Sequence, residues 1–282
     1  MNDPLQEIAD RLAAHELVPY LGPGVLGGVV DRDTGQPMPA DNESLILAMN
    51  GGQPMAPRLM YEFPRAAMHL ENKKGRSFIE RFLTQTYGGD NWTPAPLHRW
   101  LAGLNLPYVI DCNRDTQLQR CYADRPHTLV VGAARIAASP YRFDIYRFDA
   151  GRYQRIDQSE VNPALPVLFK PLGTPLPSPS YVASDADFVD YITELMGGFA
   201  IPGWLKLQRK ECRYLFLGMQ FNRDTERMLL AVDVDGPGYA GLASTRQRDR
   251  ILVERLTDLG WHHLRLWAVD IFADPARQEA QV

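Results

Sequence analysis

The chain has 282 residues, with 30 Lys and Arg against 34 Asp and Glu, so its formal charge is −4. At 45% hydrophobic and 23% charged it has an ordinary globular composition, enough for one large domain or two closely joined ones. The near-neutral balance excludes an electrostatic footprint for sequence-independent nucleic-acid binding. No stretch approaches the roughly 20 apolar residues of a membrane span. Cys112, Cys121 and Cys212 are too few and too scattered for a disulfide framework or a C-x-x-C pair. The opening MNDPLQEIADRLAAHEL lacks the basic and apolar regions of a secretory signal, so the cytosol is the expected compartment. Neither membrane nor nucleic acid is an expected partner.

In chain order, Asn2 or Asp3 can cap a first helix in which Leu5, Ile8, Ala9 and Leu12 make one apolar stripe. Leu17 to Leu21 is a short apolar run halted at Gly22-Pro23-Gly24, which predicts a buried strand. A polar loop spans 31 to 42, followed by helical pieces at Arg65 to Leu70, Ser77 to Leu83 and Pro96 to Ala102. Leu106 to Ile110 predicts a second strand. His127 to Val131, Tyr141 to Phe148 and Arg152 to Ile156 predict strands, the last two a β-hairpin turning at Asp149-Ala150-Gly151. Charged Arg142, Asp144 and Arg147 within this stretch predict a solvated face, and place the hairpin of a 127–160 β-rich insertion outside the main sheet. Leu165 to Lys170 is another strand, and Ser184 to Asp187 is a capping box opening a helix over Phe188 to Met196. Tyr214 to Leu217 is the clearest buried strand, with a helix start near Asp224. A helix over Gln247 to Leu259 and a strand over Leu264 to Val269 complete the chain. Strands alternating with helices predict a single α/β domain over 1–282, with a mostly parallel sheet flanked by helices.

Ligands of such sheets sit beyond the carboxyl ends of the strands, and four predicted strands end in candidate groups there. Gly22, Gly24 and Gly27 spell G-x-G-x-x-G, whose glycines let a backbone approach a phosphate and offer N–H groups to it. A tight strand-to-loop turn uses the same residues, and the acidic residue of a dinucleotide fingerprint, due about 20 positions on in a second strand, is missing. Asn113 and Asp115 follow the second strand, where a carboxamide can hold a ribose hydroxyl or a water; an Asx turn is the structural alternative. Gly218 permits close approach of a nucleotide, whereas Asp224 suits a helix cap. No histidine or cysteine spacing points to a metal.

In this order the pieces resemble bacterial sirtuin-like proteins. Leu17 to Val25 (LVPYLGPGV) is similar to their "vPflGaGvs", and Pro96 to Asp115 (PLHRWLAGLNLPYVIDCNRD) to "plHrlla.lp…ittNyD". Leu168 to Gly173 (LFKPLG) lies where the family has "lyKlHG", and Tyr214 to Asp224 (YLFLGMQFNRD) resembles "llfiGyslrD". The resemblance covers about residues 5 to 230 and implies a Rossmann-type pocket for NAD. Carried over, it puts Gly22, Gly24 and Val25 at the phosphates, Asn113 and Asp115 at the nicotinamide ribose, and Gly218 at the adenosine half. Lys170, Gly173 and Asp224 belong to the same cofactor set, with Asn113 and Asp115 as the catalytic pair if the protein turns over.

The chain departs from the family where chemistry is done. The histidine that precedes glycine in "HG" is Leu172 here, and leucine neither accepts nor donates a proton. Leu26 stands for the family serine, and Asp111 and Cys112 for its threonines, so Asp111 puts a carboxylate near a dianionic pyrophosphate. Three dispersed cysteines cannot build the four-cysteine zinc module of the deacylating members, which speaks against a deacylase. His98 and His127 are the candidates for a replacement base. The preferred expectation is therefore a protein that binds NAD or an ADP-ribose-type nucleotide with reduced or absent catalysis, as a sensor or regulatory partner. The alternatives are an NAD hydrolase releasing nicotinamide, as in anti-phage defence, and an interaction protein that holds no nucleotide; a protein partner or a homo-oligomer is compatible with each reading.

Overall fold

The computed structural model describes residues 4–134, 141–209 and 212–221, and beyond them 223, 225, 226 and 229. Asp224, the helix expected over 247–259 and the strand expected over 264–269 lie outside the described residues.

Helix α1 (Pro4–Ala13) leads into strand β1 (Leu17–Leu21), whose bounds coincide with the apolar run. Helices α2 (Asn42–Met49), α3 (Pro57–Met60), α4 (Phe63–Lys74), α5 (Arg76–Tyr87) and α6 (Pro96–Gly103) follow before β2 (Tyr108–Asp111). Then come α7 (Gln117–Cys121), β3 (His127–Gly132), β4 (Phe143–Asp149), β5 (Arg152–Arg155) and β6 (Val167–Lys170). A two-residue ribbon of β7 (Gly173–Thr174) and β8 (Ser180–Tyr181) precedes α8 (Asp185–Gly197), α9 (Gly203–Arg209) and β9 (Arg213–Leu217). The expected capping box opens α8, with Ser184 as N-cap and Asp187 returning the bond to the cap backbone.

The seven strands run in the order β5-β4-β3-β6-β2-β1-β9. The β3–β6, β6–β2, β2–β1 and β1–β9 pairs are parallel, and only β3–β4 and β4–β5 are antiparallel. The fold is thus α/β with a mostly parallel sheet flanked by helices. Register aligns Tyr20, Ile110, Phe169 and Val130 in one row, and Val109, Leu168 and Leu129 in the neighbouring one. Successive residues face opposite sides of a strand, and both rows are buried, so the central strands are covered on both faces. On one face Val109, Leu129 and Leu168 join Ile46 of α2, Ala66 of α4, Ile79 and Leu83 of α5 and Leu101 of α6 in a continuous core.

The placement of the 127–160 stretch is corrected. Its strands do not stand outside the sheet: β3 is buried at all six positions between β6 and β4, and β4 and β5 extend the same sheet to its edge. The charges that suggested a solvated face are largely paired. Arg142 binds Asp190 of α8 at 2.7 Å, and Asp144 is held by Arg155 across the hairpin. Charge on a strand marks a wet face only where no neighbouring element supplies a counter-ion.

Strand order also reverses beside β1, with β2, β6 and β3 to one side and β9 to the other. In open α/β sheets a crevice forms at such a switch point, outside the carboxyl ends of the strands. Among the described residues no helix is long and apolar enough to cross a membrane.

Candidate functional site

Beneath the crevice lies a buried polar centre. Ile110 pairs with Phe169, so the next residues, Asp111 and Lys170, stand side by side at the ends of β2 and β6. Both side chains are fully buried, and Lys170 Nζ donates to Asp111 Oδ2 at 2.7 Å. The other oxygen, Asp111 Oδ1, accepts the Asn113 backbone N–H at 3.0 Å and its side-chain Nδ2 at 2.9 Å. Burial alone would raise the Asp111 pKa, but the Lys170 ammonium, with the neighbouring His98 ring, holds it well below the usual carboxylate range.

This chain of contacts sets the orientation of Asn113. Its Nδ2 also donates to the Gly22 carbonyl at 3.0 Å, which uses the second amide proton. The carboxamide oxygen is left as an acceptor, and it has no hydrogen bond among the described residues. Asp115 takes the Gln117 N–H on Oδ1 at 2.6 Å in an Asx-type turn, and its Oδ2 is 3.9 Å from Lys170 Nζ. Asp115 thus does the local backbone work that was the structural alternative for this loop.

The glycine loop is pinned to the end of β9. Gly22 N donates to Leu217 O and Gly24 N to Gly218 O, each at 2.8 Å. Gly218 has φ +68°, and a Cβ there would come within 2.5 Å of the Val25 nitrogen; one on Gly24 would meet Gly218 Cα at 2.9 Å. These glycines are needed because two backbones cross in contact. The N–H groups of Val25 and Gly27 are also taken, by Gly22 O and Gly24 O at 3.3 Å. Four of the loop's N–H groups are therefore spent on protein carbonyls.

Above this floor opens a cleft enclosing about 680 Å³ of empty space, part of it open to solvent. Each of four strand ends contributes to its wall: Pro23 and Leu26 after β1, Cys112 to Arg114 after β2, Leu172 after β6, and Met219 after β9. Phe63 of α4 and Phe188 of α8 add apolar surface, and Glu226 a carboxylate whose Oε2 accepts the Phe221 N–H at 2.9 Å. Among the residues singled out from sequence, Asn113 lines the cleft. Gly22, Gly24, Val25 and Gly218 are outside its described wall, as are the fully buried Asp115 and Lys170. Gly173, at φ +91°, is pressed against the Ser180 carbonyl in the small ribbon.

Several expectations change with this geometry. Lys170, expected at the cofactor, has its ammonium taken by Asp111, and a lysine with no exposure is stable only when so paired. Asp111, expected to disturb a pyrophosphate, is neutralised by the same contact. His98 is fully buried 3.8 Å from Asp111 and outside the cleft wall. His127 starts β3, at the amino end of the parallel strands, stacked on Phe148 and joined to Tyr153 Oη at 2.8 Å. Burial lowers its pKa, and it too is outside the cleft wall.

Arg114 and Glu226 escape the sequence reading, because a charged residue in a loop after a strand, or in the first turn of a helix, reads as solvated. The guanidinium of Arg114 donates from Nε and Nη2 to the Val182 carbonyl at 3.2 and 2.6 Å and stacks 5.1 Å from the Phe63 ring centroid. It is the sole cation, and Glu226 the sole carboxylate, among the described residues lining the cleft. No family model matches this sequence, and a search of curated proteins finds no match either.

Proposed function

We propose that the cleft binds a nicotinamide dinucleotide or an ADP-ribose-type nucleotide, in a sirtuin-like setting, with catalysis reduced or absent and a sensing or regulatory role. The observation that carries this reading is the convergence of four strand ends on one cleft, at the point where strand order reverses. An acceptor oxygen held in place by Asp111 and Gly22 suits a ribose hydroxyl, and the Phe63 and Phe188 rings suit the apolar faces of a base. Leu172 lines the cleft where the resemblance would have an acid–base histidine, which favours binding over turnover.

A second reading, hydrolysis of the nicotinamide bond, is favoured by one observation: Glu226 places a carboxylate in the same wall. Calorimetric titration with NAD and ADP-ribose, paired with a chromatographic assay for free nicotinamide, separates the two. Saturable binding with no nicotinamide released is the expected result. Sustained release that is lost in Glu226→Gln would replace binding with hydrolysis, and no heat from either nucleotide would sink both.

A further inference from the structure

An anionic ligand in this cleft needs a positive partner, and the glycine loop is a poor one. The N–H groups of Gly22, Gly24, Val25 and Gly27 already meet carbonyls of Leu217, Gly218, Gly22 and Gly24. Lys170 is fully buried, outside the cleft wall, and is committed to Asp111. That leaves Arg114, the one cation of the described cleft wall.

Its setting is that of a held charge with no direct ion pair among the described residues. Nε and Nη2 point at one carbonyl, that of Val182, and the Phe63 ring lies against the guanidinium plane, so the fork has little freedom. Nη1 has no hydrogen-bond partner, and the guanidinium no carboxylate partner, among the described residues. The Asp187 carboxylate that acts on it from a distance is already bound by Arg76 and by the Ala183 and Ser184 N–H groups. Burial pushes the Arg114 pKa down, although a guanidinium stays charged at any physiological pH. A half-buried cation whose nearest carboxylate is engaged elsewhere is only partly compensated, and an arriving anion completes the compensation while gaining a charge-assisted hydrogen bond.

We propose that Arg114 makes the cleft an anion site, and that the ligand presents a phosphate or a carboxylate to its guanidinium beside the Asn113 acceptor oxygen. This deepens the nucleotide reading and rests on it for the rest of the ligand. It also moves phosphate recognition from the glycine backbone to a side chain. Donor and acceptor then stand on consecutive residues, and a ligand with an anion next to a hydroxyl or amide N–H satisfies both.

The test is calorimetry on the full chain with four probes: inorganic pyrophosphate, ADP-ribose, NAD, and nicotinic acid adenine dinucleotide, which carries a carboxylate in place of the carboxamide. Arg114→Met should weaken binding by about 10- to 100-fold, the span of a hydrogen bond to a charged group. If the anion is the pyrophosphate, all four probes lose affinity together. If it is a carboxylate on the base, the wild type prefers nicotinic acid adenine dinucleotide and only that probe loses affinity. Arg114→Lys keeps the charge without the fork and should lose several-fold. Should Arg114→Met not fold, the Arg114 Nε–H resonance of the wild type, assigned by its absence in Arg114→Lys, must shift on adding the tightest-binding probe. Pyrophosphate binding that depends on Arg114 while all three nucleotides fail to bind would keep the anion site and remove the nucleotide. Nucleotide binding unchanged in Arg114→Met and Arg114→Lys, or an Nε–H resonance that stays in place, overturns the anion site alone, and silence from all four probes overturns both.

Discussion

Asn113 presents its oxygen to the cleft only because other groups hold its nitrogen. Replacing it with aspartate would set a carboxylate against the Asp111 carboxylate and the Gly22 carbonyl, whereas alanine merely removes the contacts. Asn113→Asp should therefore cost more stability than Asn113→Ala, which itself loses two hydrogen bonds of about 0.5–1.5 kcal/mol each. Chemical denaturation of the two variants gives the ranking; equal loss would mean that the amide is not oriented by these acceptors. One layer down, Lys170→Met leaves Asp111 buried without its counter-ion and should cost roughly 3–5 kcal/mol. Replacing both residues with apolar ones should recover much of that, since the desolvation of two charges disappears with them. The pH dependence follows from the direction of the Asp111 shift. Its pKa is depressed in the folded state, so its stabilisation is complete above the unfolded carboxylate value, near about 3.9, and is lost as pH falls below it. Asp111→Asn should accordingly be less stable at pH 7 and show a shallower decline between about pH 5 and 3. Parallel acid profiles for the two proteins would exclude Asp111 as a contributor.

At the scale of elements, the crossing of the glycine loop with β9 is the joint on which the cleft wall depends. Gly218→Ala brings a positive φ and a backbone collision at once and should cost about 2–4 kcal/mol, with Gly28→Ala, which has open space around it, within about 0.5 kcal/mol. Thermal unfolding of both tells whether the joint matters; similar melting temperatures would show that β9 and the loop yield freely. The sheet offers a second comparison. Leu129 sits on β3 in the middle of the core, so Leu129→Ala should cost roughly 2–5 kcal/mol and do so cooperatively, while Arg152→Ala on the edge strand β5 stays within about 0.5 kcal/mol. Loss confined to amides of 127–155, read by hydrogen exchange, would mean that these strands open as a separate unit. Sequence patterns carried much of this level. The apolar run 17–21, the capping box at Ser184 and the run at 214–217 each specify an element locally and each element stands where expected, but the 214–217 strand, expected to be buried, is only half-buried at the end of the described strand order. What periodicity could not supply was adjacency. It tells which face of a strand is apolar, but not that β6 enters between β2 and β3, nor that α8 brings Asp190 to Arg142. The site suffered in the same way: Asn113 was legible as a strand-end carboxamide. Lys170 was legible as a strand-end cation, but its pairing with Asp111 and the placement of Arg114 in the cleft wall are properties of the assembled sheet.

For the whole molecule the decisive question is whether a cleft assembled from four strand ends does chemistry. Cleavage of a nicotinamide bond needs a proton acceptor near the ribose, and a positioned acid–base group contributes about 10²- to 10⁴-fold in rate. On the sirtuin-like proposal that position is Leu172, which lines the cleft together with Asn113 and Arg114. Wild-type release of nicotinamide from NAD should then be slow or undetectable. Leu172→His places a base in the wall and should raise release, and adding Asn113→Ala in that background should abolish the gain, because the new base alone does not orient the ribose. Glu226→Gln is the necessary companion, since its carboxylate shares the wall. If release by the wild type is already fast and disappears in Glu226→Gln, the base resides on Glu226 and the protein turns NAD over. If Leu172→His binds NAD as the wild type does yet releases nothing, proton transfer is not the missing element, and the cleft is built to hold its ligand rather than to cut it.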